Sequence, residues 1–532
     1  MKSPTFDCII VGSGPAGVSA AFPLLEAGIN VLMVDGGVAP TMPPINSGFS
    51  EARLRDLGQR SNFIGNNFYS LLQREAISPK FRVPFHEYVF DGFLKSNNIQ
   101  AKDFIAIGSM AVGGLSNAWG CGVAKYSQDE LIDFPFNFSE IEPSYESVSR
   151  RIGISGNSPD DLSSYFGLDK YALPSIQIDE MHSYLLDKYE HNSYNSNQYF
   201  RLGRSRVAAL SRDEFNRQSC NLCGNCLWGC GRKSLYSSSD ELAVLSKYRN
   251  FKYQPGLIVD HIVRESDAVS IRGHNKFSKS AACITSKKIL LAAGTLASTA
   301  IAFRSIGYLK STKLLSNPTA AYMLWLPKFL GRKSSSGFAL GQLSYSLRLP
   351  GDVFGFGSTF STSTLPLCEF AHHIPLGRRY SMGFLSSFIN SCVVGNIFLP
   401  GRLMDAKVGL DANLQLIVTG DYRDEANQLL QIAKRSLARE YLKLGALMLP
   451  GSFKRGRPGG DIHYAATMPM KAAPSFGETT SSGEIFGLSD VHAIDGASLS
   501  SLPEKSHTLT IMANADRIAK LLVINFNKDV CK

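Results

Sequence analysis

The sequence predicts an α/β fold, α+β overall, in which a nucleotide-binding domain built from separated segments is joined to an antiparallel sheet domain. Two observations support this prediction. A strand, a glycine-rich turn, a helix and a second strand follow one another over residues 6–35. Between residues 310 and 455, apolar and polar residues alternate in repeated runs, as they do in antiparallel strands with one wet face. The 532 residues, 44% of them hydrophobic, suffice for one large core or two ordinary ones.

The first segment has the pattern of a dinucleotide-binding unit. Its apolar strand, residues 8–11, leads into three glycines with the spacing G-x-G-x-x-G, namely Gly12, Gly14 and Gly17. The first glycine permits a tight turn, the second lets the backbone approach a pyrophosphate, and the third allows close packing of helix on strand. The second strand ends in Asp35, where a carboxylate accepts hydrogen bonds from an adenosine ribose. This unit predicts a Rossmann-like domain that binds a dinucleotide, with FAD as the expected ligand.

Composition and charge restrict the classes of partner. Lys and Arg number 55 against 45 Asp and Glu, so the formal net charge is +10. Much of the excess lies in two clusters, which are Arg201, Arg204, Arg206, Arg212 and Arg217, and Lys454, Arg455 and Arg457. No basic repeat interleaved with aromatic residues is present, so nucleic-acid binding is not expected. The first strand begins about six residues from the first methionine and no apolar run reaches about 18 residues, so we expect a cytoplasmic protein without a signal peptide or membrane span.

The remaining segments predict the order of the elements. We expect a strand at 87–90 (EYVF), strands through 251–294, a helix at 424–445 and a closing helix at 507–522. The predicted domains are a nucleotide-binding domain over 1–310 that carries an insertion at 150–235, a sheet domain over 311–455, and a return to the first domain over 456–532.

Four segments in this order resemble the signatures of the glucose–methanol–choline oxidoreductase family. They are the opening βαβ unit, GGLSNAWGCG at 113–122, KKILLAAGTLAST at 287–299, and HAIDGASLSSLP at 492–503 followed by TLTIMANADRIA. Cys121 departs from the family pattern, because a glycine is usual there. The resemblance implies an FAD-binding domain and an antiparallel-sheet domain that forms the substrate pocket.

The resemblance also implies the activity and the cofactor-binding residues. Members oxidise a CH–OH group of an alcohol, sugar or polyol by hydride transfer to flavin N5, with a histidine as the base. We therefore expect a dehydrogenase that passes electrons to a carrier. An oxidase that uses oxygen and a redox-neutral flavoprotein are the alternatives. The expected cofactor-binding residues are Gly12, Ser13, Gly14, Pro15, Ala16, Gly17, Asp35, Gly113, Gly114, Ser116, Asn117, Val259, Ala293, Gly294, Asp495 and Gly496.

A histidine suits the proton step because its pKa lies near working pH. His463, in DIHYAATMPM, matches the position of the family's catalytic histidine. Its partner, commonly Asn or His, is here His507, or Ser506 if the segments align without a gap. His492 is interpreted as structural. The sheet domain contains the adjacent histidines 372 and 373, for which substrate contact is the less favoured interpretation.

Four of the ten cysteines form a C-x2-C-x2-C-x3-C run, namely Cys220, Cys223, Cys226 and Cys230. This is the ligand spacing of a ferredoxin-type site, and some dehydrogenases that the chain resembles hold a three-iron cluster in such an insertion. We expect an iron–sulfur cluster, [3Fe–4S] or [4Fe–4S]. Zinc and a metal-free structural loop stay open as alternatives. The arginines at 201–217 precede the run, so an acidic electron-carrier protein is a candidate partner.

Overall fold

The computed structural model describes residues 6–41, 79–157, 159–191, 199–214, 216–332, 337–362 and 376–530. Numbered along the chain, its strands are β1 (Phe6–Val11), β2 (Val31–Asp35), β3 (Ile99–Lys102), β4 (Ser155–Asn157), β5 (Leu173–Pro174), β6 (Phe200–Arg204), β7 (Phe251–Pro255), β8 (Leu257–Arg264), β9 (Val269–Asn275), β10 (Ala281–Leu291), β11 (Thr312–Ser316), β12 (Thr319–Trp325), β13 (Leu343–Leu349), β14 (Val353–Ser361), β15 (Cys392–Phe398), β16 (Met404–Leu410), β17 (Leu416–Tyr422), β18 (Leu447–Met448), β19 (Lys454–Arg455), β20 (Tyr464–Ala465), β21 (Glu484–Ile485) and β22 (Leu488–Ala493).

Helices lie between and around these strands. They are α1 (Pro15–Glu26), α2 (Glu87–Phe90), α3 (Phe93–Ser96), α4 (Phe138–Ile152), α5 (Ser163–Phe166), α6 (Glu180–His191), α7 (Ser238–Leu245), α8 (Thr295–Ile306), α9 (Arg378–Phe388), α10 (Asp424–Lys443) and α11 (Thr508–Val530). Within the described ranges, no helix is both long and apolar enough to cross a bilayer.

The first sheet contains the strands of the predicted nucleotide-binding unit and has the strand order β21-β22-β10-β1-β2-β7. Strands β22, β10, β1, β2 and β7 run parallel, while β9 pairs antiparallel with β10 and with β8. Parallel strands are covered on both faces, which explains why β1 and the end of β10 are continuous apolar runs. Helices α1, α11 and α4 pack together, and α8 packs on β8. The opening unit, the strand before Gly294 and the closing helix are therefore confirmed.

Two further sheets are built mainly of antiparallel pairs. One has the order β18-β12-β15-β14-β13-β6, with β19 also on β12, and the other has the order β20-β11-β16-β17-β3. Helix α10 packs on β12, β13 and β18, which confirms the helix predicted at 424–445. Strands β3 and β6 join these sheets from outside the range 311–455, so the division into domains stays a prediction.

The segment EYVF was expected to form a strand, and this prediction is wrong. Residues Glu87–Phe90 form one helical turn, in which Val89 alone is fully buried. The ring of Phe90 packs on Phe81 with 4.5 Å between centroids. Such tertiary packing overrides the strand propensity of these residues, because strand propensity mainly reflects how well a side chain packs on a sheet.

Candidate active site

A cavity of about 490 Å³ extends from the carboxyl ends of β1, β2 and β10 to one face of the sheet that contains β12–β15. All three candidate catalytic residues line it: His463, Ser506 and His507. Most of the expected cofactor-binding residues also line it, namely Gly12, Ser13, Gly14, Pro15, Ala16, Asp35, Gly114, Ser116, Val259, Ala293, Gly294, Asp495 and Gly496. Gly17, Gly113 and Asn117 are not part of its lining. Ligands of parallel sheets bind at this edge, beyond the carboxyl ends of the strands.

The three glycines of the first turn have different surroundings. A Cβ atom on Gly12 would lie 2.2 Å from the carbonyl oxygen of Ala292, and one on Gly17 would lie 2.0 Å from the carbonyl oxygen of Gly12. A Cβ atom on Gly14 would meet no protein atom within 4 Å. Gly14 caps the N-terminus of α1 and borders the cavity. A phosphate can therefore approach the backbone and the positive end of the helix dipole there.

Asp35 is held at the edge of the cavity by three donors. Its carboxylate accepts hydrogen bonds from the Ser13 hydroxyl, from the Tyr253 hydroxyl at 2.7 Å and from the Gly37 amide at 2.8 Å. Burial raises the pKa of the Asp35 carboxyl, and the three hydrogen bonds partly offset this increase. An ionised carboxylate offers about four acceptor positions. One position therefore remains for a ribose hydroxyl.

Ser116 and Asn117 stabilise the glycine-rich loop from within. The Ser116 hydroxyl donates to the Gly113 carbonyl at 2.6 Å and contacts the Ser238 hydroxyl at 2.9 Å. The Asn117 amide donates to the carbonyls of Val112 and Gly114, both at 2.8 Å. These side chains shape the loop and fasten it to the start of α7.

Asp495 joins two segments that were both expected to contact the cofactor. One carboxylate oxygen accepts hydrogen bonds from the Gly294 amide at 2.8 Å and the Ser298 hydroxyl at 2.6 Å. The other accepts from the Ala497 amide at 3.0 Å. Burial raises the pKa of Asp495. The end of β10 and the loop after β22 are thereby fixed side by side at the cavity wall.

The two candidate catalytic histidines are in contact. The rings of His463 and His507 lie 4.9 Å apart between centroids at 63°, and Phe398 lies 5.1 Å from His463 on another side. Burial lowers the pKa of His463 to about 4. Burial, and then the neighbouring His463, lower the pKa of His507 well below its usual value. Both rings are therefore neutral near pH 7, and each has a nitrogen lone pair that can accept a proton.

Asn317, a residue that the sequence did not point to, fixes the tautomer of His463. Its amide nitrogen donates to the carbonyls of Leu399 at 2.7 Å and Pro503 at 2.8 Å. Its amide oxygen therefore faces Nδ1 of His463 at 3.0 Å. An amide oxygen only accepts, so Nδ1 carries the ring proton and Nε2 has the free lone pair.

Asp461 supports the same arrangement from the backbone side. Its carboxylate accepts hydrogen bonds from the Ser316 hydroxyl at 2.6 Å, from the backbone N–H of Asn317 at 2.7 Å and from the backbone N–H of His463 at 3.2 Å. Burial raises the pKa of Asp461 to about 7. Asp461 lies two residues before His463, and this spacing was the sequence signal that could have identified it. Asn317 had no such signal, because it is 146 residues away from His463 along the chain.

The cysteine run does not form a metal site in this structure. The thiols of Cys220, Cys223, Cys226 and Cys230 are free. Among the described residues, no group of three or more His, Cys, Asp or Glu side chains is placed to hold a metal ion. The expected iron–sulfur cluster is therefore not supported, and zinc has no ligand set in this run.

The loop around these cysteines packs instead on another part of the chain. Leu227 and Trp228 form a buried cluster with Val83 and Phe85. The imidazole Nε2 of His86 lies 3.0 Å from the Leu227 carbonyl oxygen. These contacts fit the metal-free structural loop.

Three of the five arginines in the basic segment 201–217 are engaged by other groups of the protein. Arg206 is fully buried in ion pairs with Asp160 at 2.8 Å and Asp169 at 2.7 Å. Arg217 is buried and donates to three backbone carbonyls. The exposed Arg212 pairs with Glu214 within the segment. An acidic carrier protein stays a prediction without support from this surface.

The other histidines singled out in the sequence lie away from the cavity or outside the described chain. His492 is buried in β22, where its Nδ1 is 2.9 Å from the Ser482 carbonyl oxygen, and it does not line the cavity. The adjacent histidines at 372 and 373 lie outside the described residues.

No family model and no curated protein sequence matches this chain. Solved structures do match it over nearly the whole length. Pyridoxine 4-oxidase from Mesorbium loti is 13% identical, with 97% of this chain and 99% of that chain covered and a TM-score of 0.62. A fungal aryl-alcohol oxidase is 12% identical, with 99% and 100% covered and a TM-score of 0.57. The R554A variant of formate oxidase from Aspergillus oryzae RIB40, studied for FAD modification, is 13% identical, with 99% and 100% covered and a TM-score of 0.60. At such identities the likeness shows the fold alone.

Proposed function

We propose that this chain, which has the fold of the glucose–methanol–choline oxidoreductases, is an FAD-dependent enzyme that oxidises the CH–OH group of a small molecule. The observation that supports this most is the cavity itself. It combines a dinucleotide-binding turn with a pair of neutral, contacting histidines, His463 and His507. A base and a cofactor site in one cavity are what alcohol oxidation requires.

The residues at the other end of the cavity fit FAD. The open space at Gly14 and the N-terminus of α1 suit a pyrophosphate, and the remaining acceptor position of Asp35 suits an adenosine ribose. Gly294 and Asp495 border the same cavity on the far side of β1. Bound FAD would supply the acceptor for the hydride of the substrate.

His463 is the proposed general base. Because Asn317 accepts from Nδ1, the Nε2 lone pair is the one that can take the hydroxyl proton of the substrate. His507 is the proposed partner, since its imidazole contacts the ring of His463. Ser506 also lines the cavity and is the alternative partner. Either side chain can hold the substrate oxygen by a hydrogen bond while the proton leaves.

The buried position of His463 predicts an unusual pH dependence. Burial disfavours the imidazolium, so the ring stays neutral until the pH falls to about 4. The acidic limb of kcat/KM should therefore lie near pH 4 and not near the usual histidine value. Asn317→Asp retains an acceptor at Nδ1 and adds a negative charge, which stabilises the imidazolium. The acidic limb of the kcat/KM profile should then move to higher pH in this variant. If the limb does not move, a group other than His463 is responsible for it.

The electron acceptor decides between two versions of the proposal. A dehydrogenase passes electrons to a carrier, which is the version expected from the resemblance to dehydrogenases with a cysteine-rich insertion. An oxidase is the second candidate, because the pyridoxine, aryl-alcohol and formate enzymes of the same fold are named oxidases. The assay incubates the FAD-loaded protein in air with a panel of alcohols, sugars and polyols, and measures carbonyl product and peroxide. Carbonyl product with equal peroxide indicates the oxidase, whereas product that requires an added dye acceptor indicates the dehydrogenase. Absence of product under both conditions contradicts the proposed function.

A further inference from the structure

We propose that a row of polar side chains on the sheet wall of the cavity binds a second hydroxyl group of the substrate. The substrate would then be a neutral alcohol with an apolar body and two hydroxyl groups. The two groups would be about 7 Å apart, because the row lies two strand residues beyond the layer beside the base. The row consists of Ser205, Ser344, Ser358 and Asn396. This inference rests on the proposed function, because it takes the first hydroxyl group to be the one that reacts at His463.

The wall is formed by alternate residues of two paired strands. From β15 the cavity is lined by Val394, Asn396 and Phe398. From β14 it is lined by Phe356, Ser358 and Phe360, which alternate in the same way, and by the last residue of the strand, Ser361. Alternation of this kind places the six alternating side chains on one face of the sheet. On each strand, one polar side chain therefore lies between two apolar ones.

The strand register orders these side chains into layers. Phe356 is paired with Phe398, and Phe360 is paired with Val394. The Phe398 ring contacts His463, so the first layer is the one beside the base. Ser358 and Asn396 lie two residues further along their strands, a step of roughly 6.7 Å. A substrate that presents its reacting hydroxyl to His463 would pass an aromatic layer before it meets the polar row.

Hydrogen bonds join the polar row into one chain. The hydroxyls of Ser205 and Ser344 are 2.7 Å apart, and those of Ser344 and Ser358 are 2.9 Å apart. The amide oxygen of Asn396 accepts from the Ser358 backbone amide at 2.8 Å. Within the described part of the chain, the Asn396 side-chain nitrogen has no acceptor, although the residue lines the cavity. This amide N–H can therefore donate to a ligand in the cavity, and a hydroxyl oxygen is a suitable acceptor.

The charges around the cavity favour a neutral ligand. Arg206 is held by two carboxylates, and the Lys80 ammonium donates to the Trp119 carbonyl oxygen. Burial also lowers the pKa of Lys80, which weakens it as a site for an anion. These two cations of the lining are therefore engaged by the protein, and a carboxylate or phosphate on the substrate would lack a free partner there.

The test compares two alcohols that differ in one hydroxyl group. The probes are 4-(hydroxymethyl)benzyl alcohol and 4-methylbenzyl alcohol, of which the first carries the second group across the ring. We measure their dissociation constants for the FAD-loaded protein by calorimetry, and their kcat/KM values for flavin reduction. The diol should be favoured about 5- to 10-fold, the effect of one net hydrogen bond. Equal affinity of the two probes, or no binding of either, would overturn the inference.

Variants locate the preference in the row. Asn396→Ala and, independently, Ser358→Ala should bring the ratio of diol to monool affinity close to one. Ser346→Ala is the matched control, because Ser346 is a buried serine of β13 outside the cavity lining, and it should keep the wild-type ratio. FAD content and melting temperature establish that each variant is folded. If the diol binds preferentially but reduces no flavin, the proposed function is wrong and the proposed hydroxyl-binding row is retained. If the ratio is unchanged in both row variants, the proposed row is wrong and the proposed function is unaffected.

Discussion

Replacing His463 by alanine is expected to slow flavin reduction by an alcohol by about two to four powers of ten, the usual contribution of a positioned acid or base. The reason is that Nε2 of this ring has the free lone pair, since Nδ1 is committed to Asn317. The ring itself contacts that of His507. FAD should remain bound, because the residues proposed to hold its pyrophosphate and ribose, the glycine turn and Asp35, are unchanged. The measurement is the anaerobic rate of flavin bleaching in a rapid-mixing experiment.

A second histidine serves as the control for this experiment. His261 is exposed on β8 and does not line the cavity. His261→Ala should therefore reduce its flavin at the wild-type rate. If His463→Ala also does so, another group removes the hydroxyl proton and the catalytic assignment is wrong.

Replacing Gly14 by leucine is expected to abolish FAD retention and leave the fold intact. Gly14 has φ −69° and ψ −178°, an extended conformation that any residue adopts without strain. Since a Cβ atom at this position would meet no protein atom within 4 Å, a leucine side chain would project into the cavity where the pyrophosphate is expected. The measurement is the flavin absorbance of the purified variant relative to its protein absorbance.

Gly383→Leu provides the matched control for Gly14→Leu. Gly383 lies on the exposed face of α9, where a Cβ atom also meets nothing within 4 Å. This variant should retain FAD. Full flavin occupancy in Gly14→Leu would show that the dinucleotide does not occupy the first turn.

The parts of the fold that the sequence predicted correctly are those with local signals. The glycine spacing, the apolar strand and Asp35 lie within 30 residues, and together they specify one βαβ unit. The antiparallel strands between residues 310 and 455 were predicted by the alternation of apolar and polar residues. Their distribution between two sheets could not be predicted, because β3 and β6 reach those sheets from distant parts of the chain.

The candidate site was predictable only where a family motif covered it. His463 and His507 come together in the structure, as the motif implied, yet Asn317 reaches His463 through tertiary contacts that leave no trace in local sequence. The cysteine run shows the limit of spacing as a signal. Its spacing matches a cluster site, yet the described residues contain no group placed to hold a metal ion, and Leu227 packs on the segment around Phe85.

An anaerobic absorbance titration of the FAD-loaded protein with neutral alcohols, sugars and polyols tests the proposed oxidation of a CH–OH group without relying on any particular electron acceptor. At least one of these compounds should bleach the flavin, with one carbonyl product formed per flavin reduced, since each hydride that leaves a CH–OH carbon reduces one cofactor. A flavin that stays oxidised against the whole panel would contradict the proposed function and would leave a flavoprotein that uses FAD without net oxidation.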